Sequence, residues 1–185
     1  MTTALWLLAI QGIIGAFDTL YYHELRAMLA AGGSLTAPEL KLHAARDFLY
    51  AGIFGALPYL ELHGLWAIVP AAVLLTEIML TLADFVVERR VRKPLGDVYG
   101  GERVTHALMA IIYGAALANL LPVLWSWSRL PAAIVPTTAA PAPLRWSLTV
   151  MAIGVFISGL RDLYAALGLP HGEWPWSAEK VERHL

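Results

Sequence analysis

Five apolar stretches, near residues 4–26, 40–62, 65–88, 103–125 and 146–166, dominate this chain. Each is about as long as the ~20 residues that a helix needs to cross roughly 30 Å of hydrocarbon. In lipid every backbone N–H and C=O must find its partner within protein, and an α-helix does so within its own segment. The chain has 185 residues, 58% of them hydrophobic and 15% charged, which is too apolar for an ordinary soluble domain. The expected fold is therefore all-α: an integral membrane bundle of about five transmembrane helices over residues 1–167, followed by an interfacial tail over 168–185. The N-terminal run has no basic n-region and continues into Asp18 and Tyr22, so it reads as a first helix rather than a cleaved signal. Thr36, Pro38 and Glu39 have the form of an N-cap, a first-turn proline and a capping-box acid. His63-Gly64 marks a tight turn, and RLPAAIVPTTAAPAPLR a loop without helical pattern. In the tail, Ser177 is placed to cap a short amphipathic turn.

Basic residues orient the bundle. Arg26, Lys41 and Arg46 flank the first loop, Arg89, Arg90, Arg92, Lys93 and Arg103 the third, and Arg161, Lys180 and Arg183 the C-terminal end, with only Arg129 and Arg145 opposite. The positive-inside rule then puts the N-terminus outside and the C-terminus in the cytoplasm of a bacterial inner membrane. Trp6, Trp66, Trp125, Trp127 and Trp146 fall at the opposite helix ends as an aromatic belt. A net charge of -1 without a basic, aromatic-interleaved stripe excludes a nucleic-acid partner. The expected partners are the bilayer and a second copy or membrane subunit. The absence of cysteine excludes disulfides, thiolate metal sites and a cysteine nucleophile.

Polar residues recur along the chain with fixed spacing. Glu39, His43, Asp47 and Tyr50 lie on one face of a helix, and Glu102, His106 and Tyr113 repeat three of those offsets, with Ala110 in place of Asp47. Gln11, Asp18 and Tyr22 are spaced as Glu77, Asp84 and Glu88 are. The first four helices thus read as a parallel duplication of a helix pair. At 1.5 Å per residue, Asp18, Asp47 and Asp84 lie about 8–12 Å inside the basic boundary, and Glu77 about 18 Å inside it, with Gln11 as its expected partner. Charge at that depth is costly, so these groups should face one another inside the bundle. His23, Glu24, Glu61, His63 and His171 fall off these stripes and read as interfacial. Arg46 is placed to neutralise Asp47 or Asp18 in a structural pair.

The layout resembles the ligand set of ferritin-like di-iron carboxylate bundles, in which two helices give one carboxylate each and two give a Glu-x-x-His pair. Here Asp18 and Asp84 take the first role and Glu39/His43 and Glu102/His106 the second, at i, i+4 rather than i, i+3. The resemblance implies a dinuclear centre of iron, manganese or zinc. It would serve an oxidoreductase acting on a lipid-soluble substrate near the cytoplasmic face. Asp47, Glu88, Tyr50, Tyr113, Glu77 and Gln11 would surround the ligands or carry protons. In a second reading His43 and His106 are axial ligands of a b-type haem electron carrier, with Arg46 and Arg103 at its propionates. In a third the acidic layer is a proton or cation path, or a purely structural core. Glu39 and Glu102 also suit a capping or helix-dipole role. As a whole, the stretches QGIIGAFDTLYYHE, LHAARDFLY, LADFVVERRVR and ERVTHALMAIIYGA resemble a family of uncharacterised bacterial inner-membrane proteins. This resemblance implies a multi-pass location and no particular activity.

Overall fold

The computed structural model describes residues 1–170. The tail, with His171, Ser177, Lys180 and Arg183, lies outside the described residues. The fold is an up-and-down helical bundle: α1 (Thr2–Phe17), α2 (Ala37–Ala56), α3 (Ile68–Arg92), α4 (Gly100–Ser128) and α5 (Ala142–Ala166). Leu5, Leu8, Phe54, Leu74, Leu120, Leu144 and Leu148 form a common core between them. Outward-facing side chains such as Ile13, Leu75, Val86, Ile111 and Val150 are apolar and exposed. So large an exposed apolar surface is compatible with a membrane protein.

Four helical stretches are long and apolar enough to cross a membrane: Thr2–Arg26, Gly64–Leu95, Gly100–Ser128 and Ala142–Ala166. The stretch read as a second span, 40–62, is different. Helix α2 ends at Ala56, and Leu60–His63 is instead a strand, β1. It pairs antiparallel with β2 (Ala133–Pro136), Leu60 opposite Pro136 and His63 opposite Ala133. The β-branched Ile134 and Val135 in the proline-rich loop supply the partner strand that a helix would have excluded. The first half of α2 carries Glu39, Lys41, His43, Arg46 and Asp47, too many charges for an apolar span, and all of these but Lys41 are buried or half-buried. Gly64 follows β1 at φ +59, and a Cβ there would lie 2.7 Å from the Ala132 Cα, so the turn needs glycine. Trp127 lies at the expected end of α4 but is buried against His63, with ring centroids 6.0 Å apart.

Helix α1 changes winding at Asp18. From Asp18 to Arg26 the chain is π-helical, and at its end the Ala27 amide donates to the Tyr22 carbonyl at 2.8 Å. This i→i+5 pattern places a residue and its fifth neighbour above one another, which a 3.6-residue turn does not. Thr36 makes no cap. Its hydroxyl donates to the Leu29 carbonyl at 2.6 Å, tying down the loop before α2. Close packing fixes α5 on α2, where a Cβ on Gly159 would sit 2.9 Å from the Asp47 Cβ.

Candidate metal centre

Among the described residues fourteen polar or charged side chains are buried, eight of them carboxylic acids, and most lie where α1, α3 and α5 end and α2 and α4 begin. Seven of those acids, all but Glu77, gather at this end. The π-helical turn brings Asp18 and His23 onto one face, and α4 brings His106 to the same place. His106 Nε2 lies 3.1 Å and His23 Nε2 3.3 Å from the same oxygen, Asp18 Oδ2. Ligand atoms of these three residues all fall within 4.8 Å of one another. Two atoms each ~2.1 Å from a common ion at a tetrahedral angle would be roughly 3.4 Å apart, close to these separations. Glu102 Oε1 is 3.3 Å from His23 Nε2, and Glu88 Oε2 is 3.8 Å from His106 Nδ1.

A second group adjoins the first. His43 Nε2 is 3.3 Å from Asp84 Oδ2, its Nδ1 is 3.9 Å from Asp162 Oδ2, and its ring stacks on His23 with centroids 4.7 Å apart. Arg46 Nη1 donates to Asp84 Oδ2 at 2.9 Å, so Arg46 neutralises Asp84 rather than Asp47 or Asp18. Asp47 turns to α5, where Gly159 packs on it. Each histidine therefore faces a carboxylate from a different helix pair: His106 on α4 meets Asp18 beyond α1, and His43 on α2 meets Asp84 on α3.

Beneath both groups Arg92 is almost fully buried. Its Nε donates to both Glu39 oxygens at 2.9 and 3.1 Å, and its Nη2 to Glu102 Oε1 at 3.1 Å. Glu39 thus works as a counter-charge and not as a capping acid. Arg161 makes a two-pronged pair with Glu24 and a 3.2 Å contact with Asp162. Deeper in the bundle the Gln11 amide donates to the Tyr50 hydroxyl at 2.8 Å, which donates to Glu77 Oε1 at 3.0 Å. Thr81 donates to that oxygen at 2.7 Å. Tyr50 thus stands between Gln11 and Glu77, which were expected to pair directly. Tyr113 is buried nearby without a well-formed hydrogen bond.

Asp18, His43, Asp84, His106 and Glu102 all lie in the cluster, and Glu39 is held by Arg92. Arg103 is outside it, exposed and paired with Asp97 at 3.0 Å. Two participants were missed. His23 and Glu24 read as interfacial because Asp18 and His23 are five residues apart, off any α-helical face; the i, i+5 pairing in DTLYYHE was the only signal. Among the described residues, Asp18 Oδ1, Asp84 Oδ1 and Glu102 Oε2 are buried and accept no hydrogen bond. Comparison with protein-family models, with curated proteins and with solved structures finds no match.

Proposed function

We propose that this is a multi-pass inner-membrane protein that binds a divalent metal at Asp18, His23 and His106, with His43 and Asp84 as an adjoining half of a dinuclear centre. The observation that carries the reading is the set of orphaned carboxylate oxygens on Asp18, Asp84 and Glu102 beside three imidazoles. A buried acceptor without a donor costs about 1–3 kcal/mol, more when charged, and a cation held by Asp18, His23 and His106 would lower that cost at Asp18. The charge balance agrees: among the described residues, eight buried acids meet the guanidinium groups of Arg46, Arg92 and Arg161. Carboxylate and imidazole ligands without sulfur suit iron, manganese or zinc. The ion would supply Lewis acidity or electron transfer to a lipid-soluble substrate, while Arg92 holds the two glutamates in place and Arg46 holds Asp84. We read the matching spacing of α1/α2 and α3/α4 as a duplication, and the basic residues at this end as cytoplasmic, with the N-terminus outside.

His23 packs against both His43 and His106, with ring centroids 4.7 and 6.4 Å away. A haem iron shared by those two histidines would need that space, so the metal reading is preferred to the haem carrier. Elemental analysis and an optical spectrum of the detergent-purified protein test it. The wild type is expected to carry iron, manganese or zinc, and His23→Ala/His106→Ala to lose it while eluting as the same monodisperse species. Full metal occupancy in that double variant would sink the proposal, and a Soret band lost in His43→Ala/His106→Ala would restore the haem.

A further inference from the structure

The outer faces of α2 and α4 are treated differently. On α2, α5 sits so close that a Cβ on Gly159 would lie 2.9 Å from the Asp47 Cβ and 3.2 Å from the Ala44 carbonyl oxygen. The residues on α4 at the same offsets are Ala107 and Ala110, both exposed. They line a cleft of about 740 Å³ between α3 and α4, with Phe85 facing them. Glu88 and His106 of the metal cluster reach its wall, while Arg89, Lys93 and Arg103 stand around it. Arg103 is taken up by Asp97 at 3.0 Å; Asp97 also lines the cleft and feels the charge of Arg89, while Arg89 and Lys93 stay exposed.

We propose that this cleft admits one anionic phospholipid, its acyl part against Phe85, Ala107 and Ala110 and its phosphate at Arg89 and Lys93, which brings the headgroup beside His106. Apolar walls topped by exposed cations that outnumber the acid beside them, Arg89, Lys93 and Arg103 against Asp97, match an anionic amphiphile at a membrane boundary. A helix in this seat is less well matched. On the α2 side, α5 supplies Asp162 to His43 Nδ1 at 3.9 Å; on the α4 side, Glu88 already faces His106 Nδ1 at 3.8 Å, so no acid is wanting. The assignment of the lipid as substrate rests on the metal reading, but its binding does not.

Native mass spectrometry of the full chain in detergent, offered phosphatidylglycerol or phosphatidylcholine, reads lipid and metal together. One retained phosphatidylglycerol is expected, preferred by roughly tenfold or more over phosphatidylcholine on the strength of two basic residues. Arg89→Gln/Lys93→Gln should erase that preference, and Ala110→Trp should expel the lipid while metal remains. Equal retention of the two lipids, or retention undiminished in both variants, overturns the inference. Displacement of the lipid by inorganic phosphate binding equally well would assign the cleft to a soluble phosphate and overturn it too. The chain has no native cysteine, so efficient disulfide dimerisation of Ala110→Cys in membranes would give the cleft to a second copy and overturn it likewise. Wild type that keeps the lipid but carries no metal would sink the metal reading alone.

Discussion

The ends of α1 and α3 that enter the site match in sequence spacing and differ in winding. Asp18, His23 and Arg26 stand at the same offsets as Asp84, Arg89 and Arg92. In α3 the chain stays α-helical, so Asp84, Glu88 and Arg92 share one face and are all buried, while Arg89 is exposed. In the π-helical continuation of α1 the fifth neighbour replaces the fourth: Asp18 and His23 are buried together, and Arg26 is exposed. Tyr22, the counterpart of Glu88, turns away and packs on Gly101, where a Cβ would lie 2.1 Å from its hydroxyl. A change of one residue per turn gives one half an imidazole and the other a guanidinium. π-Helical turns are rare and concentrate at functional sites, and here the turn brings His23 beside Asp18 and His106, where the three could hold a metal ion.

The sharpest way to break this comparison is at its two arginines. Arg92→Ala leaves Glu39 and Glu102 buried without a counter-charge, and removing one partner from such a pair costs about 3–5 kcal/mol. Thermal unfolding in detergent should show the variant severely destabilised or absent from the membrane fraction. Arg26 instead lies over the Tyr99 ring at 4.7 Å and is exposed, so Arg26→Ala should melt with the wild type. Equal effects at the two positions would mean that the winding does not decide which arginine holds the site.

Much of the layout was legible in the sequence. A period of 3.6 residues picks out Asp84, Glu88, His43, His106 and Tyr50, because α2, α3 and α4 wind as that period assumes. The same period misplaces His23, since hydrogen-bond register within a helix leaves no mark in the pattern of residue types. It also read Arg92 as one more residue of a basic boundary. In ERRVR only the position of Asp84 two turns earlier separates the buried arginine from its exposed neighbours. The length of α2 is overread because apolar residues continue past Ala56 into a strand whose partner is at least seventy residues away in the chain.

Deeper in the bundle, Tyr50 and Tyr113 share offsets on α2 and α4 but not their roles. The Tyr50 hydroxyl joins Gln11 to Glu77, whereas the Tyr113 hydroxyl has no well-formed hydrogen bond. Tyr50→Phe strands a buried amide and takes a donor from a buried carboxylate, a loss of about 1–3 kcal/mol. Tyr113→Phe removes a hydroxyl whose contact with Glu77 falls short of a well-formed hydrogen bond and should change stability by less than about 0.5 kcal/mol. Denaturant midpoints for the two variants compare them directly, and a larger loss at Tyr113 would reverse the assignment of which phenol carries the network.

The smallest difference lies in the loops that follow these two helix ends. Each contains a non-glycine residue in the left-handed region, Met28 at φ 49 and Asp97 at φ 70. Met28 makes no side-chain hydrogen bond that compensates the conformation. A left-handed non-glycine residue costs roughly 1–2 kcal/mol, of which glycine would return part as lost chain entropy, so Met28→Gly should stabilise by roughly 0.5 kcal/mol. Asp97 tolerates the conformation better, because its Oδ1 accepts the Val98 amide at 2.8 Å and its Oδ2 meets Arg103 at 3.0 Å. The Val98 amide first, and Arg103 second, hold its carboxyl below the usual carboxylate value. The contribution of its charge is therefore present above the unfolded value of about 3.9 and is lost as pH falls through the lower folded value. Asp97→Gly should give no gain near neutral pH, and its deficit relative to the wild type should shrink on acidification, whereas the effect of Met28→Gly should not change with pH. Parallel melts of both variants across that range separate a backbone cost from a charge contribution, and a pH-dependent Met28→Gly would show that the two loops share one origin of strain.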